Sequence, residues 1–209
     1  MSRFSSGFRD ALIDLMRWRR DVRHFRSDPV DEALLTQCLD TFLLSPSVGL
    51  SEPWRVIRVE TAAARAAALD NFRAANADAL AGYEGEKAAL YSRMKLSGMN
   101  EAPVQLAVFC DEATAKGAGL GAGTMPEMRR YSVVSAITHF WLFARTYGLG
   151  VGWVSILDPD RLARDLNVQD GWALVAYLCV GWPEGDSDTP ELERAGWESR
   201  RKSMKIEER

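Results

Sequence analysis

Histidine is almost absent from this chain of 209 residues: His24 and His139 are the only two. That excludes a histidine-rich metal site and any mechanism that needs several imidazoles. Cysteine is nearly as scarce. Cys38, Cys110 and Cys179 lie far apart within apolar runs, and an odd, scattered set reads as reduced core thiols, not as disulfides or zinc ligands. Neither sign of charge dominates, since 26 Lys+Arg against 29 Asp+Glu leave a net charge of only -3. Such a balance gives no global attraction to nucleic acid or to an anionic membrane. No apolar run approaches the roughly 20 residues that span a bilayer. The opening MSRFSSGFRD lacks the apolar segment of a secretory signal. The expectation is one cytoplasmic domain over residues 1–209, with one sizeable core and neither nucleic acid nor membrane as partner.

What is present is an alternation of helical and strand patterns. Phe8, Leu12, Leu15 and Met16 recur at helical spacing, and so do Leu34, Leu35, Cys38, Leu39 and Phe42 over residues 31–44. Asp28 or Asp31 can cap the second helix. WRVIRVE alternates like a strand. The alanine-rich stretch that follows reads as one long helix or two, with a break near Gly82 and Gly85. PVQLAVFCD, VGWVSIL and WALVAYLCVGWP read as buried strands. YSVVSAITHFWLFARTYG is apolar nearly all round and predicts a buried central helix, ended by Gly148 and Gly150. DPDRLARDLN predicts a short helix capped by Asp158, with Pro159 in its first turn. The polar tail from Glu184 to Arg209 carries little core of its own.

Two stretches invite a functional reading. GAGLGA, Gly117 to Ala122, matches the dinucleotide-binding pattern in letters only. Its first glycine falls well past the end of the strand, where the turn should meet a pyrophosphate, and no acid follows about 20 residues on. It reads as a mobile surface loop. MRWRRDVRHFRSDPV places Arg17, Arg19, Arg20, Arg23 and Arg26 close together around one carboxylate, Asp21. A solvated charge run would look the same. So would a phosphate clamp, because guanidinium groups present planar forks that never deprotonate. Beside a bound phosphate Asp21 would be repelled, unless its carboxylate points toward another part of the ligand.

RRDVRHF, SPSVGLSEPW, YSVVSAITHFWLFARTYGLGVGW and GWP followed by a basic tail occur in that order, and together they resemble the FMN-dependent nitroreductase family over nearly the whole chain. Asp21 after the paired arginines, Leu50 in PSVGLSEPW, Ser155 in GWVSILDP and the tail ELERAGWESR resemble its flavin-destroying branch, which makes 5,6-dimethylbenzimidazole. The resemblance implies an α+β nitroreductase-like fold, a central mixed sheet flanked by helices, in an intertwined homodimer. FMN would lie at the dimer interface, and the tail, about 184–209, would wrap the partner subunit. The implied FMN-binding residues are Arg19, Arg20, Asp21, Val22, Arg23, Ser47, Ser155 and Arg201, with Arg200 as the near alternative to Arg201. The implied catalytic residues are Asp21 and Ser155, and no metal is implied. Reduced FMN would be the substrate and dioxygen the co-substrate, with NAD(P)H acting only indirectly through a separate flavin reductase. A cover over the site is expected from Tyr91, Met94, Lys95 and Leu96, or alternatively from loop 117–123. A conventional NAD(P)H-dependent nitroreductase or flavin reductase shares the fold, and a flavin-sequestering module shares the clamp.

Overall fold

The computed structural model describes residues 3–209; Met1 and Ser2, the start of the segment read for a leader, lie outside them. Helix α1 spans Ser6–Trp18 and α2 spans Glu32–Asp40. Strand β1, Trp54–Arg58, leads into α3, Ala62–Ala81, and α4, Gly85–Arg93. Then follow β2 (Val104–Asp111), α5 (Met128–Thr146), β3 (Gly150–Val154), α6 (Pro159–Asp165), β4 (Trp172–Gly181) and the single turn α7 (Glu191–Arg194). The expected caps are in place: Asp31 Oδ1 accepts from the Leu34 N–H at 2.9 Å, and Asp158 Oδ1 from the Arg161 N–H at 2.9 Å. The α3–α4 break falls at Gly82–Glu84, and Gly85 at φ 56 opens α4.

The strands form one sheet in the order β1-β2-β4-β3, antiparallel at every pairing. The central sheet, expected as mixed, is thus antiparallel in its strands; among the described residues the one parallel pairing is an isolated bridge, Asp21 beside Val151, on the outer edge of β3. Alternation along β2 and β4 sorts the core into two layers. Leu106, Val108, Leu178 and Val180 face α2 and α5; Ala107, Phe109, Tyr177 and Cys179 face Phe25, Ala68 of α3 and Leu162 of α6. The sheet is therefore covered by helices on both faces.

Two expectations change. Helix α5 is buried on one face only: Val133, Ile137, Phe140 and Ala144 are fully enclosed, whereas Tyr131 and Val134 are exposed. Part of its apolar surface is therefore left open. The glycine-rich loop is not free at the surface. Gly117, at φ 83, lies so close to Gly49 that a Cβ would meet the Gly49 carbonyl at 2.5 Å, and Lys116 pairs with Glu52. The glycines permit positive φ and close backbone approach, which docks this loop on residues 47–52.

Candidate active site

The arginine-rich stretch begins where α1 ends. Arg19 is the C-cap residue, with extended backbone at φ -72 and ψ 105. The chain then runs alongside β3, with the Val22 N–H donating to the Val151 carbonyl at 3.1 Å. This docking depends on glycine. A Cβ on Gly152 would overlap the Val22 carbonyl, and one on Gly150 would meet the Val22 side chain at 2.8 Å.

Docking places Asp21 against the open edge of β3, where backbone N–H groups lack a strand partner. The Trp153 N–H donates to Asp21 Oδ1 at 2.8 Å, and Arg23 Nε donates to Oδ2 at 3.0 Å. Both carboxylate oxygens are thereby fixed. Burial pushes the Asp21 carboxyl above the ordinary carboxylate value, against the opposing pull of the Trp153 N–H and the Arg23 guanidinium, while Glu191 adds to the rise. Such a carboxylate is oriented and more basic than a solvated one, which suits a proton acceptor.

Cations gather beside it. The Arg19 guanidinium lies over the Trp141 ring at 4.6 Å. Arg20 donates from Nη2 to the Met16 carbonyl at 3.3 Å, while its Nε is buried with no hydrogen-bond partner among the described residues. Burial lowers the pKa of Arg19, with Asp21 opposing and Arg200 adding to the effect; for Arg20 burial acts first, then Arg200 and Arg19. Three guanidinium groups that repel one another, one with an unsatisfied buried donor, fit an anion with several acceptor oxygens. A cavity of about 160 Å³ lies among Arg19, Arg20, Asp21, Arg23, Glu191 and Arg200. A larger one, about 560 Å³, adjoins it between Arg20–His24 and the tail residues 184–195.

The structure thus brings together Arg19, Arg20, Asp21 and Arg23, with Val22 as the residue that docks them. Ser155 is exposed two residues beyond Trp153, just past the end of β3. Ser47 accepts from the Glu52 N–H at 3.1 Å and lines neither cavity. At the basic tail it is Arg200, not Arg201, that lines the smaller cavity. Arg23 lacks the freedom of a clamp residue: besides Asp21 it donates from Nη1 to the Lys95 carbonyl at 3.2 Å, and its side chain is 13% exposed. Of the two expected covers, residues 94–96 approach the site and loop 117–123 docks elsewhere. The sequence reading named Lys95 as a cover residue, but the contact of Trp141 with Arg19, the Trp153 N–H and the Lys95 carbonyl as an acceptor escaped it. Only Trp141 carried a signal, as a tryptophan in the central helix.

The tail packs on its own chain. Trp197 meets Tyr83 at 5.4 Å and Tyr91 at 6.2 Å, and Lys87 Nζ donates to its carbonyl at 2.9 Å. Residues 198–209 are exposed.

A family model described as "Nitroreductase family" matches residues 16–182. This chain belongs to the nitroreductase family. Among nitroreductase-family relatives, "5,6-dimethylbenzimidazole synthase" of Rhodospirillum rubrum is 56% identical, across 95% of this chain and 94% of that protein. A second protein of that name, from Rhodobacter capsulatus, is 50% identical across 93% and 94%. The nitroreductase-like fold also appears in iodotyrosine deiodinase bound to FMN and 3-iodo-L-tyrosine, at TM-score 0.74 and 20% identity, covering 94% of this chain and 97% of that one. A nitroreductase-like protein of Bacillus cereus matches at TM-score 0.59 over 100% of this chain.

Proposed function

We propose that this chain is a 5,6-dimethylbenzimidazole synthase, which takes reduced FMN and dioxygen to 5,6-dimethylbenzimidazole, the lower ligand of cobalamin, and erythrose 4-phosphate. The observation that carries the reading is the juxtaposition of a doubly held, charge-disfavoured carboxylate, Asp21, with a cluster of guanidinium groups. Two relatives at 50% identity or more bear that name.

Flavin is the substrate, and it supplies a ring that dioxygen can attack once reduced. The protein supplies anchorage, orientation and proton transfer. Arg19, Arg20 and Arg200 hold the ribityl phosphate, and Arg20 Nε gains the acceptor it lacks. With the phosphate fixed there, Asp21 faces the sugar end of the ligand. Its carboxylate accepts the proton that must leave when a ribityl C–H is lost and the carbon chain is cut, a role worth about 10²–10⁴ in rate. The Trp153 N–H and Arg23 keep it in one orientation. Ser155, just past the end of that strand, donates a hydrogen bond to a flavin heteroatom or to the oxygen that reacts there. The apolar faces of α1 and α5 pair with a second copy, so that FMN is bound by both chains and residues 201–209 reach the partner. A separate flavin reductase supplies electrons, and the reaction takes place in the cytoplasm; no helix among the described residues is long and apolar enough to cross a membrane.

The test is to give the purified protein reduced FMN in air and analyse the products by mass. Dimethylbenzimidazole from the wild type, lost in Asp21→Asn and reduced in Ser155→Ala, supports the proposal. Steady NAD(P)H oxidation with a nitroaromatic while the bound FMN survives would replace it with a conventional nitroreductase.

A further inference from the structure

Arg23 makes a connection that the proposed reaction does not by itself require. One N–H of its guanidinium holds the Asp21 carboxylate, and another holds the backbone carbonyl of Lys95, 72 residues away. Lys95 belongs to the segment that leaves α4 and crosses toward the site. Just beyond it the chain is pinned. Ser97, Gly98 and Met99 are buried. A Cβ on Gly98 would overlap the Phe25 ring, and Gln105 Nε2 donates to the Met99 carbonyl at 2.7 Å. The Lys95 ammonium pairs with Glu101 at 2.9 Å. Residues 97–99 therefore form a fixed root, and Arg23 is the tie that holds the half-exposed residues 94–96 down onto the Asp21 side of the site.

We propose that Arg23 is a positioning residue that couples closure of the 94–96 cover to the orientation of Asp21, through one guanidinium shared between the carboxylate and the Lys95 carbonyl. The planar fork explains why the position is arginine: a lysine ammonium carries the charge but not two donors set apart in one rigid plane. The arrangement also separates this residue from the phosphate-facing group of Arg19, Arg20 and Arg200. When the cover lifts, Arg23 loses its second anchor and Asp21 its fixed partner, so proton transfer is competent only over a covered site. Other titratable groups lie near the carboxylate. Arg19 lies close from the end of α1, Glu191 faces it from α7, and Cys179 lies in the neighbouring strand β4. Arg23 is the one that touches it.

The inference rests on the reading of Asp21 as proton acceptor, and its test has an arm that does not. Arg23→Gln and Arg23→Lys are made in the full chain. FMN affinity is measured by flavin fluorescence, product by mass, and amide hydrogen exchange is followed over residues 90–97. In Arg23→Gln, product formation at saturating reduced FMN falls by about 10²-fold or more, beyond any change in FMN affinity. The pH profile of the residual activity moves upward, because a cation that favours the ionised carboxylate is gone. Exchange over 92–97 in the FMN-bound protein rises by about tenfold or more, as expected when a local tie is cut. Arg23→Lys recovers the pH profile but not the protection. The proposal is overturned if exchange is unchanged, or if product formation at saturating reduced FMN equals that of wild type, which would leave Arg23 a role in ligand affinity alone. Should Arg23→Gln not fold, Asp21→Ala with Arg23 intact decides: the cover loosens in exchange if the tie is shared, and stays protected if it is not. A wild type that yields no dimethylbenzimidazole defeats the functional reading, while the exchange arm still decides the coupling.

Discussion

At Asp21 chemistry and stability pull in opposite directions. Burial raises its pKa above the ordinary 3.8 despite the Trp153 N–H and Arg23. With the folded value above the unfolded one, the folded chain binds the extra proton within that window. The stabilising contribution is complete below 3.8 and is lost as pH rises through the folded value. At neutral pH the protein therefore carries a charge that its fold disfavours. Asp21→Asn has no such charge, so it melts higher than wild type at about pH 7, and the gain shrinks toward about pH 4. Thermal melts across pH check this. The same substitution lowers dimethylbenzimidazole formation by about 10²–10⁴ and leaves FMN bound. Ser155→Ala, which removes one hydrogen-bond donor, costs about 10²-fold in the same assay. The cysteines behave oppositely. Burial pushes Cys38 and Cys110 up to about 11 and Cys179 to about 12. Thiol titration of the native protein at about pH 8 should find none reactive, and all three should react in denaturant.

At the scale of elements the site hangs on β3. Its glycines let the arginine-bearing segment lie flat on the strand edge, and the edge N–H groups do the rest. Gly152→Ala forces the Val22 carbonyl away, which breaks the Val22–Val151 hydrogen bond and swings Asp21 off the Trp153 N–H. A loss of about 1–3 kcal/mol in chemical denaturation is expected, together with loss of product formation. Much at this scale was legible in the sequence. Local signals fixed by side-chain chemistry within a few residues, such as Asp31 and Asp158 as caps or Gly82 and Gly85 as a break, are where they were expected. Contacts between distant segments were not legible. Nothing near Gly117 indicates that it will nest against Gly49, and nothing in RRDVR separates Arg23 from its neighbours. What separates them is a carbonyl at Lys95 and a strand edge at Trp153, both supplied by the rest of the fold. Arg200 and Arg201 have the same chemistry, and only the path of the tail places one of them beside the cavity.

For the whole molecule, apolar side chains stay exposed on two helices that touch, α1 and α5. No residue of α1 is buried. Ile13 is 54% exposed, Met16 51%, and Leu44, in the turn after α2, 78%. Tyr131 and Val134 are open on the outer face of α5, although that helix is otherwise the centre of the core. Apolar exposure on this scale, on elements that flank the arginine cluster, marks a surface meant to be covered. A second copy of the chain covers it in the reading proposed above, and Arg19, at the end of α1, then lies near the seam. Ile13 and Met16 lie three positions apart on α1, so they share a face. Replacing both by glutamate places charge in the seam and leaves the core of the single chain untouched. Sedimentation should find the wild type dimeric and the double variant monomeric, with helical content by circular dichroism unchanged. FMN affinity should fall by about tenfold or more in the same variant, because a ligand shared by two chains loses half of its contacts when they part. If the monomer binds FMN as tightly as the dimer does, the ligand belongs to one chain, and the interface is architecture without a part in the site.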